Sequence, residues 1–330
     1  MNIVRGKREP ELAVVVDNVP WDYEYAGRTS SVEVKCYRSQ DKAIDPNELE
    51  IPLFLGYGED RIAARKVVRA MGALGLPAVG VVVPYDKIPC ERSAVEQASI
   101  KVPHAISDHY KDSRDLPREE TEMDWLGRSQ GGAVVLRALK ERPEGVGNLA
   151  LIAPACLDRV PGNMACEREL NRQFYRRFAL NGIRQFKQTG LDPVNWWSIA
   201  TIGRQLAYDV KTKRFVPKVG LAMTTSLNEV VLRHVASGHK VVHLVGERDN
   251  VFRYADIIAA YRAYEQDDDK WPNILTVRGN SHVASASRKG IAEIALAFEH
   301  IGRLPAESVP PGPRPIPPPT EAGFGQQATD

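Results

Sequence analysis

Short apolar runs alternate with longer helical patterns along most of the chain, and this alternation restricts the fold more than any other feature. The runs lie at residues 51–55, 77–83, 148–152 and 241–245, and they suit strands that are buried on both faces. Two earlier runs, at residues 12–16 and 31–37, are predicted to be strands antiparallel to each other. The sequence therefore predicts an α/β fold with a mostly parallel central sheet and helices on both of its faces.

Composition is that of an ordinary globular enzyme. The 330 residues are 43% hydrophobic and 26% charged, and the net charge of +2 gives no indication of nucleic acid or an anionic membrane as a partner. The four cysteines include no C-x-x-C pair, so free thiols are expected rather than a metal or redox motif. The amino-terminal residues lack the apolar stretch of a secretory signal, and no membrane span is predicted, so we expect a cytoplasmic location.

The motif Gly127-Arg128-Ser129-Gln130-Gly131-Gly132 matches G-x-S-x-G and lies between a predicted strand and a predicted helix. In a nucleophile elbow the serine occupies a tight strand-to-helix turn, and the glycines avoid side-chain clashes there. The following helix directs backbone N–H groups toward developing negative charge. The alternative is a glycine-rich turn that only begins a helix. The context of strand, motif and helix favours Ser129 as a nucleophile.

A second glycine-rich loop, Gly56-Tyr57-Gly58, follows the predicted strand at residues 51–55. With the serine motif it makes the chain resemble the α/β-hydrolase family, which has an H-G-x-G-like loop at this place. The resemblance implies that the backbone N–H groups of Tyr57 and Gln130 form an oxyanion hole. Leu55 stands where the family often has histidine. The loop lacks the third glycine of a dinucleotide-binding motif, and neither a cofactor nor a metal is predicted.

Histidine suits the role of general base because its pKa lies near working pH. Among the seven histidines, His282 is the predicted base because of its position. It lies in a loop after the last predicted strand and before the last helix, and such loops build the sites of α/β sheets. The family's catalytic histidine comes from the same loop. His243, in contrast, lies inside a predicted strand and is expected to be packed in the core.

The acid that orients this histidine is predicted to be Asp249. It lies in Gly246-Glu247-Arg248-Asp249, which resembles the family's G-x-x-D loop, and the order Ser129, Asp249, His282 is the family's order. Two alternatives stay open. Glu247 lies in the same loop, and Asp158 follows the preceding strand, from which some relatives take the acid.

Three regions are predicted from the change in pattern along the chain. Residues 1–157 and 239–304 form the α/β-hydrolase core, and residues 158–238 contain helical patterns without a convincing buried strand. The resemblance implies that this insert is a helical cap or lid. Residues 305–330 begin with eight prolines up to Pro319 and are predicted to be disordered or polyproline-like. Such a tail is either simply solvated or docks weakly onto a partner.

These features predict a serine hydrolase that cleaves a carboxylic ester, or a related acyl bond, through an acyl-enzyme intermediate. Its expected partner is a small acyl substrate. An acyltransferase, thioesterase or peptidase would use the same three residues. A lyase or cofactor-free peroxidase on the same fold, and a non-catalytic binding protein, are the further alternatives.

Overall fold

The structure is a computed structural model of the chain. It describes residues 14–25, 27–56, 59–85, 87–89, 91–155, 200–201, 203–205, 207–208, 211–212, 227–249, 254–262, 271–277, 287–309 and 315–316. The strands are β1 (Val14–Tyr25), β2 (Arg28–Ser39), β3 (Ile51–Phe54), β4 (Ala78–Val82), β5 (Met123–Arg128), β6 (Val146–Ile152), β7 (Val241–Gly246), β8 (Asn273–Val277) and β9 (Pro315–Ile316). The helices are α1 (Arg61–Gly72), α2 (Arg92–Asp112), α3 (Gln130–Glu141), α4 (Asn228–Ala236), α5 (Tyr254–Arg262) and α6 (Arg288–His300).

The strands of the described residues form one sheet in the order β1-β2-β4-β3-β5-β6-β7-β8-β9. Strands β3 to β8 are mutually parallel, while β1, β2 and β9 pair antiparallel with their neighbours. The predicted antiparallel hairpin at the start of the chain is confirmed and is longer than its apolar runs. The mostly parallel sheet is confirmed as well.

Helices cover both faces of the sheet. Alternate side chains of the central strands point to opposite faces, so each strand contributes to both layers of the core. In β6, Leu149 and Leu151 pack with the helices α2, α3, α4 and α5, whereas Ala150 and Ile152 pack with α1 and α6. Strand β7 divides in the same way between Val241 and Val242. These continuous apolar runs are therefore strands with two buried faces, as the sequence predicted.

The helix near the end of the predicted insert has buried apolar residues. Helix α4 lies within residues 158–238, yet Val230, Val231 and Leu232 are buried in the same cluster as α3 and β5. Residues 158–199 and 213–226 of the predicted insert lie outside the described residues. The division into core and cap therefore stays a prediction.

The proline-rich tail is ordered where the structure describes it. Ala306–Ser308 forms a short 3-10 helix, and Pro315–Ile316 pairs with Thr276 and Val277 at the edge of β8. The rest of the tail lies outside the described residues, so its predicted disorder and partner docking stay predictions. No helix in the described ranges is long and apolar enough to cross a bilayer.

Candidate active site

The candidate site lies at the carboxyl ends of β3, β5 and β7. From β3 to β4 the chain moves in one direction across the sheet, whereas from β5 to β6 it moves in the opposite direction. The strand order therefore reverses between β3 and β5. Ligands of open α/β sheets bind at such a switch point. Gly56 follows β3 and Ser129 follows β5, and the two predicted loops therefore meet there.

Ser129 has the backbone conformation that a nucleophile elbow requires. Its φ of 51° and ψ of −119° are unusual for a residue with a side chain. Its N–H donates to the carbonyl of Ile152 at 3.0 Å, and its carbonyl accepts from the N–H of Ala155 at 2.9 Å. Helix α3 begins at the next residue, Gln130. The turn is thus held by the end of β6, and the unfavourable φ is imposed by tertiary contacts.

The glycines of the serine motif permit close backbone contacts. A Cβ added to Gly131 would lie 1.9 Å from the carbonyl oxygen of Phe54, and one added to Gly127 would lie 2.7 Å from Gly132 Cα. A Cβ on Gly132 would lie 2.5 Å from the Pro154 side chain. Helix α3 can therefore start directly beside β3 because Gly131 carries no side chain, and the other two glycines allow it to pack closely on β5 and on Pro154.

The loop after β3 contacts the nucleophile. A Cβ on Gly56 would lie 3.3 Å from Ser129 Cβ and 3.2 Å from Glu59 Oε2. Glu59 Oε2 also accepts a hydrogen bond from the Gly56 N–H at 2.7 Å. The predicted oxyanion donor Tyr57 lies outside the described residues. The other predicted donor, Gln130, is the first residue of α3 and directly follows Ser129.

Burial separates two of the three candidate acids. Asp249 is 4% exposed, whereas Glu247 in the same turn is exposed. The Asp249 N–H donates to the carbonyl of Gly246 at 3.0 Å, and the Glu247 N–H donates to the carbonyl of Val277 at 3.0 Å. The second bond ties this turn to the end of β8, and the chain continues from there toward His282. His282 and Asp158 lie outside the described residues, so the catalytic roles of the predicted residues stay predictions.

Three other histidines are held neutral in the core. Burial lowers the pKa of His243 to about 3, and it lowers the pKa values of His104 and His234 to about 4. His243 is completely buried on β7, as the sequence predicted. Nε2 of His104 contacts the Ala138 carbonyl, and Nε2 of His234 contacts the Gly147 carbonyl. Burial assigns a structural role to all three, and the carbonyl contacts support it for His104 and His234.

An ion pair that sequence reasoning missed lies beside the nucleophile. Arg128 Nη1 lies 2.8 Å from Glu293 Oε2, and the two side chains are 2% and 4% exposed. Arg128 is the variable residue before the serine of the motif, and a charged residue at this position was the available signal. Its partner on α6 is 165 positions away, so no local pattern could reveal it.

A pocket of about 460 Å³ opens at the loop after β3. Its apolar wall includes Phe54, Val81 and Val134, and its polar lining includes Glu59 and Gln205. This combination of an apolar wall and a few polar groups is typical of small-molecule sites. Gln130 also lines the pocket, which places the cavity next to the serine turn.

No protein-family model matches this sequence, and no curated protein matches it. The fold does match solved structures. One is 2-hydroxy-6-oxo-6-phenylhexa-2,4-dienoate hydrolase from Rhodococcus sp. strain RHA1, with 15% identity, a TM-score of 0.55, and coverage of 87% of this chain and 99% of that one. An esterase from Rhodococcus sp. ECU1013 matches with 13% identity, a TM-score of 0.54, and coverage of 87% and 99%.

A third match is an α/β-hydrolase enzyme from a Medee basin deep-sea metagenome library, with 11% identity and a TM-score of 0.56. The alignment covers 86% of this chain and 97% of that one. The strand order, the strained serine between β5 and α3, and these matches together show that the chain has the α/β-hydrolase fold. The fold expected from the resemblance of the two glycine-rich loops is confirmed.

Proposed function

We propose that this protein is a serine hydrolase that cleaves a carboxylic ester or a related acyl bond. The observation that carries the proposal is the backbone of Ser129, which is held at a φ of 51° between β5 and α3. Such strain persists only where the surrounding structure imposes it, and it concentrates at functional sites. The proposed general base is His282, and Asp249 is proposed to orient it.

In the first half of the reaction, Ser129 Oγ attacks the carbonyl carbon of the substrate while its proton passes to His282. The electron pair of the carbonyl bond moves onto oxygen, and the backbone N–H groups of Tyr57 and Gln130 stabilise this oxyanion. The bond to the alcohol oxygen then breaks. The alcohol takes the proton from His282 and leaves, so that Ser129 remains acylated.

In the second half, water attacks the acyl carbon and gives a proton to His282. The new oxyanion collapses, the bond to Ser129 Oγ breaks, and Oγ recovers the proton. The carboxylic acid is released and the enzyme returns to its starting state. Asp249 accepts a hydrogen bond from the histidine and favours its protonated form, and the burial of Asp249 at the end of β7 supports this role over Glu247.

The pocket supports a small acyl substrate. Its volume of about 460 Å³ lies within the usual range for small-molecule sites, and its wall beside β3 and β4 is apolar. An apolar acyl or alcohol group would fill it. We propose esters of short to medium apolar acids as the first substrates to test.

The decisive experiment is labelling with a fluorophosphonate probe. Wild type, Ser129→Ala and His282→Ala are compared with Ser99→Ala, which removes a different buried hydroxyl, one that donates to the Val95 carbonyl at 2.9 Å. We expect labelling of wild type and Ser99→Ala, and none of the other two, because an activated serine needs both the hydroxyl and its base. Hydrolysis of p-nitrophenyl esters should follow the same order.

Absence of labelling and of ester hydrolysis in folded wild-type protein would contradict the proposal. Labelling of wild type without hydrolysis of any acyl ester or thioester would instead favour transfer to an acceptor other than water. Retained labelling in Ser129→Ala would show that another residue reacts.

A further inference from the structure

Gly56 and Glu59 follow β3 and are joined by two hydrogen bonds, one within the backbone and one to a side chain. The Glu59 N–H donates to the carbonyl of Gly56 at 3.2 Å, and the Gly56 N–H donates to Glu59 Oε2 at 2.7 Å. The first bond belongs to the backbone, whereas the second depends entirely on the glutamate side chain. Tyr57 and Gly58 are the two residues between them in the sequence.

Gly56 lies against the nucleophile. The position of a Cβ on Gly56 is 3.3 Å from Ser129 Cβ and 3.2 Å from Glu59 Oε2, so the serine and the carboxylate approach the same point. Glu59 is partly buried and lines the pocket together with Gly56 and Gln130. A change in the position of Gly56 would therefore change the contacts of Ser129.

The carboxylate is unsuited to act on the reacting atoms themselves. Negative charge develops on the substrate oxygen, and a carboxylate nearby would repel it. A carboxylate is, however, the strongest acceptor available for a backbone N–H, and charge-assisted hydrogen bonds are short and well oriented. Leu55, which lies between β3 and Gly56, has no polar side-chain atom with which to hold Gly56. The hydrogen bond to the Gly56 N–H therefore explains why an acidic residue stands at position 59.

We infer that Glu59 is a positioning residue that holds Gly56 against the serine turn. This inference rests on the proposed function, since it assigns Glu59 to the same reaction. It goes beyond that function because it makes a specific side chain responsible for the backbone position directly beside the nucleophile. The bond from Glu59 to Gly56 should then affect the transition state more than the bound substrate.

Three substitutions separate the possible roles of this side chain. Glu59→Ala removes the acceptor, and Glu59→Asp keeps the charge on a side chain that is one methylene shorter and falls short of Gly56. Glu59→Gln keeps an oxygen at the same reach without the charge. Asp45→Ala is the matched control, because Asp45 Oδ1 accepts from the Asn47 N–H at 2.8 Å in an exposed turn before β3.

The measurements are kcat and KM for a neutral p-nitrophenyl ester, and the inhibition constant of a trifluoromethyl ketone that forms a tetrahedral adduct. For Glu59→Ala and Glu59→Asp we expect kcat to fall about 10- to 100-fold, with KM nearly unchanged and the ketone weakened in parallel. Glu59→Gln should keep most of the activity. Asp45→Ala should change none of these values.

The inference is overturned if Glu59→Asp keeps the wild-type kcat, or if Glu59→Gln loses as much as Glu59→Ala, because the charge would then be what matters. Unchanged ketone binding in variants with a low kcat would also overturn it. If Glu59→Ala does not fold, the comparison of the Asp and Gln variants still decides. Inactive wild-type protein would instead contradict the proposed function, so the two failures are distinguishable.

Discussion

Arg128 and Glu293 form a buried ion pair with 2.8 Å between Nη1 and Oε2, and it links the residue before Ser129 to helix α6. Helix α6 begins at Arg288, just after the segment that contains His282. The pair therefore connects the strand that carries the proposed nucleophile to the helix that follows the proposed base. Neither charge has access to bulk water, since the side chains are 2% and 4% exposed.

Breaking this pair from one side should be costly. Arg128→Met leaves the Glu293 carboxylate buried without this cation, and we expect the free energy of unfolding to fall by about 3–5 kcal/mol. The double variant Arg128→Met with Glu293→Leu should recover most of the loss, because no buried charge is left over. Urea-induced unfolding of the single and double variants measures the coupling. Arg118→Met, in an exposed pair with Asp112, is the control and should change stability little. Equal losses in the single and double variants would contradict the prediction.

Ser129 should be replaceable by glycine with a gain in stability. Its φ of 51° is unfavourable for any residue with a Cβ, and alanine keeps that penalty while glycine removes it. We expect Ser129→Gly to be about 1 kcal/mol more stable than Ser129→Ala, with both variants inactive. Thermal or urea unfolding compares the two. A glycine variant that is less stable than the alanine variant would show that the turn is not strained.

Asp249 and Glu247 provide a matched pair for the role of the acid. Both follow β7 in one turn, but Asp249 is buried and Glu247 is exposed. We expect Asp249→Asn to lower kcat by about 10⁴-fold, because the base would lose its orientation and the stabilisation of its charged form. Glu247→Gln should keep nearly full activity in the same ester assay. The reverse result would assign the acid to Glu247, and full activity in both variants would favour Asp158.

Stability should fall in mild acid because of buried histidines. The pKa of His243 is lowered from 6.5 to about 3 by burial, so the folded state stays neutral while the unfolded state takes up a proton below pH 6.5. Stability is therefore lost as the pH falls from about 6.5 toward 3, at about 1.4 kcal/mol per pH unit for this group.

The variant His243→Leu tests this dependence. Between pH 7 and pH 5 it should lose about 2 kcal/mol less than wild type in the free energy of unfolding. The value at pH 7 serves as the control, because it contains any difference in packing between the two side chains. An identical pH dependence in the two proteins would mean that folded His243 accepts the proton.

Much of the fold could be predicted because strands and helices leave local periodic patterns in the sequence. The predicted strand at residues 51–55 is observed as Ile51–Phe54, and the predicted strand at residues 148–152 is observed as Val146–Ile152. The position of Ser129 between a strand and a helix was predicted for the same reason. The pattern of helix α4 does not tell which neighbour it packs on, and only the structure places its buried residues in one cluster with those of α3 and β5.

The sequence by itself determined which residues form the central strands, that they are parallel and buried on both faces, and that a serine and a glycine-rich loop follow β5 and β3. These properties depend on residues close together in the chain. Only the tertiary structure decided that Asp249 is buried while Glu247 is exposed, that Gly131 approaches the Phe54 carbonyl, and that Arg128 pairs with Glu293. The reason is physical: burial and pairing depend on which distant segments pack together, and residues as far apart as 128 and 293 share no local pattern.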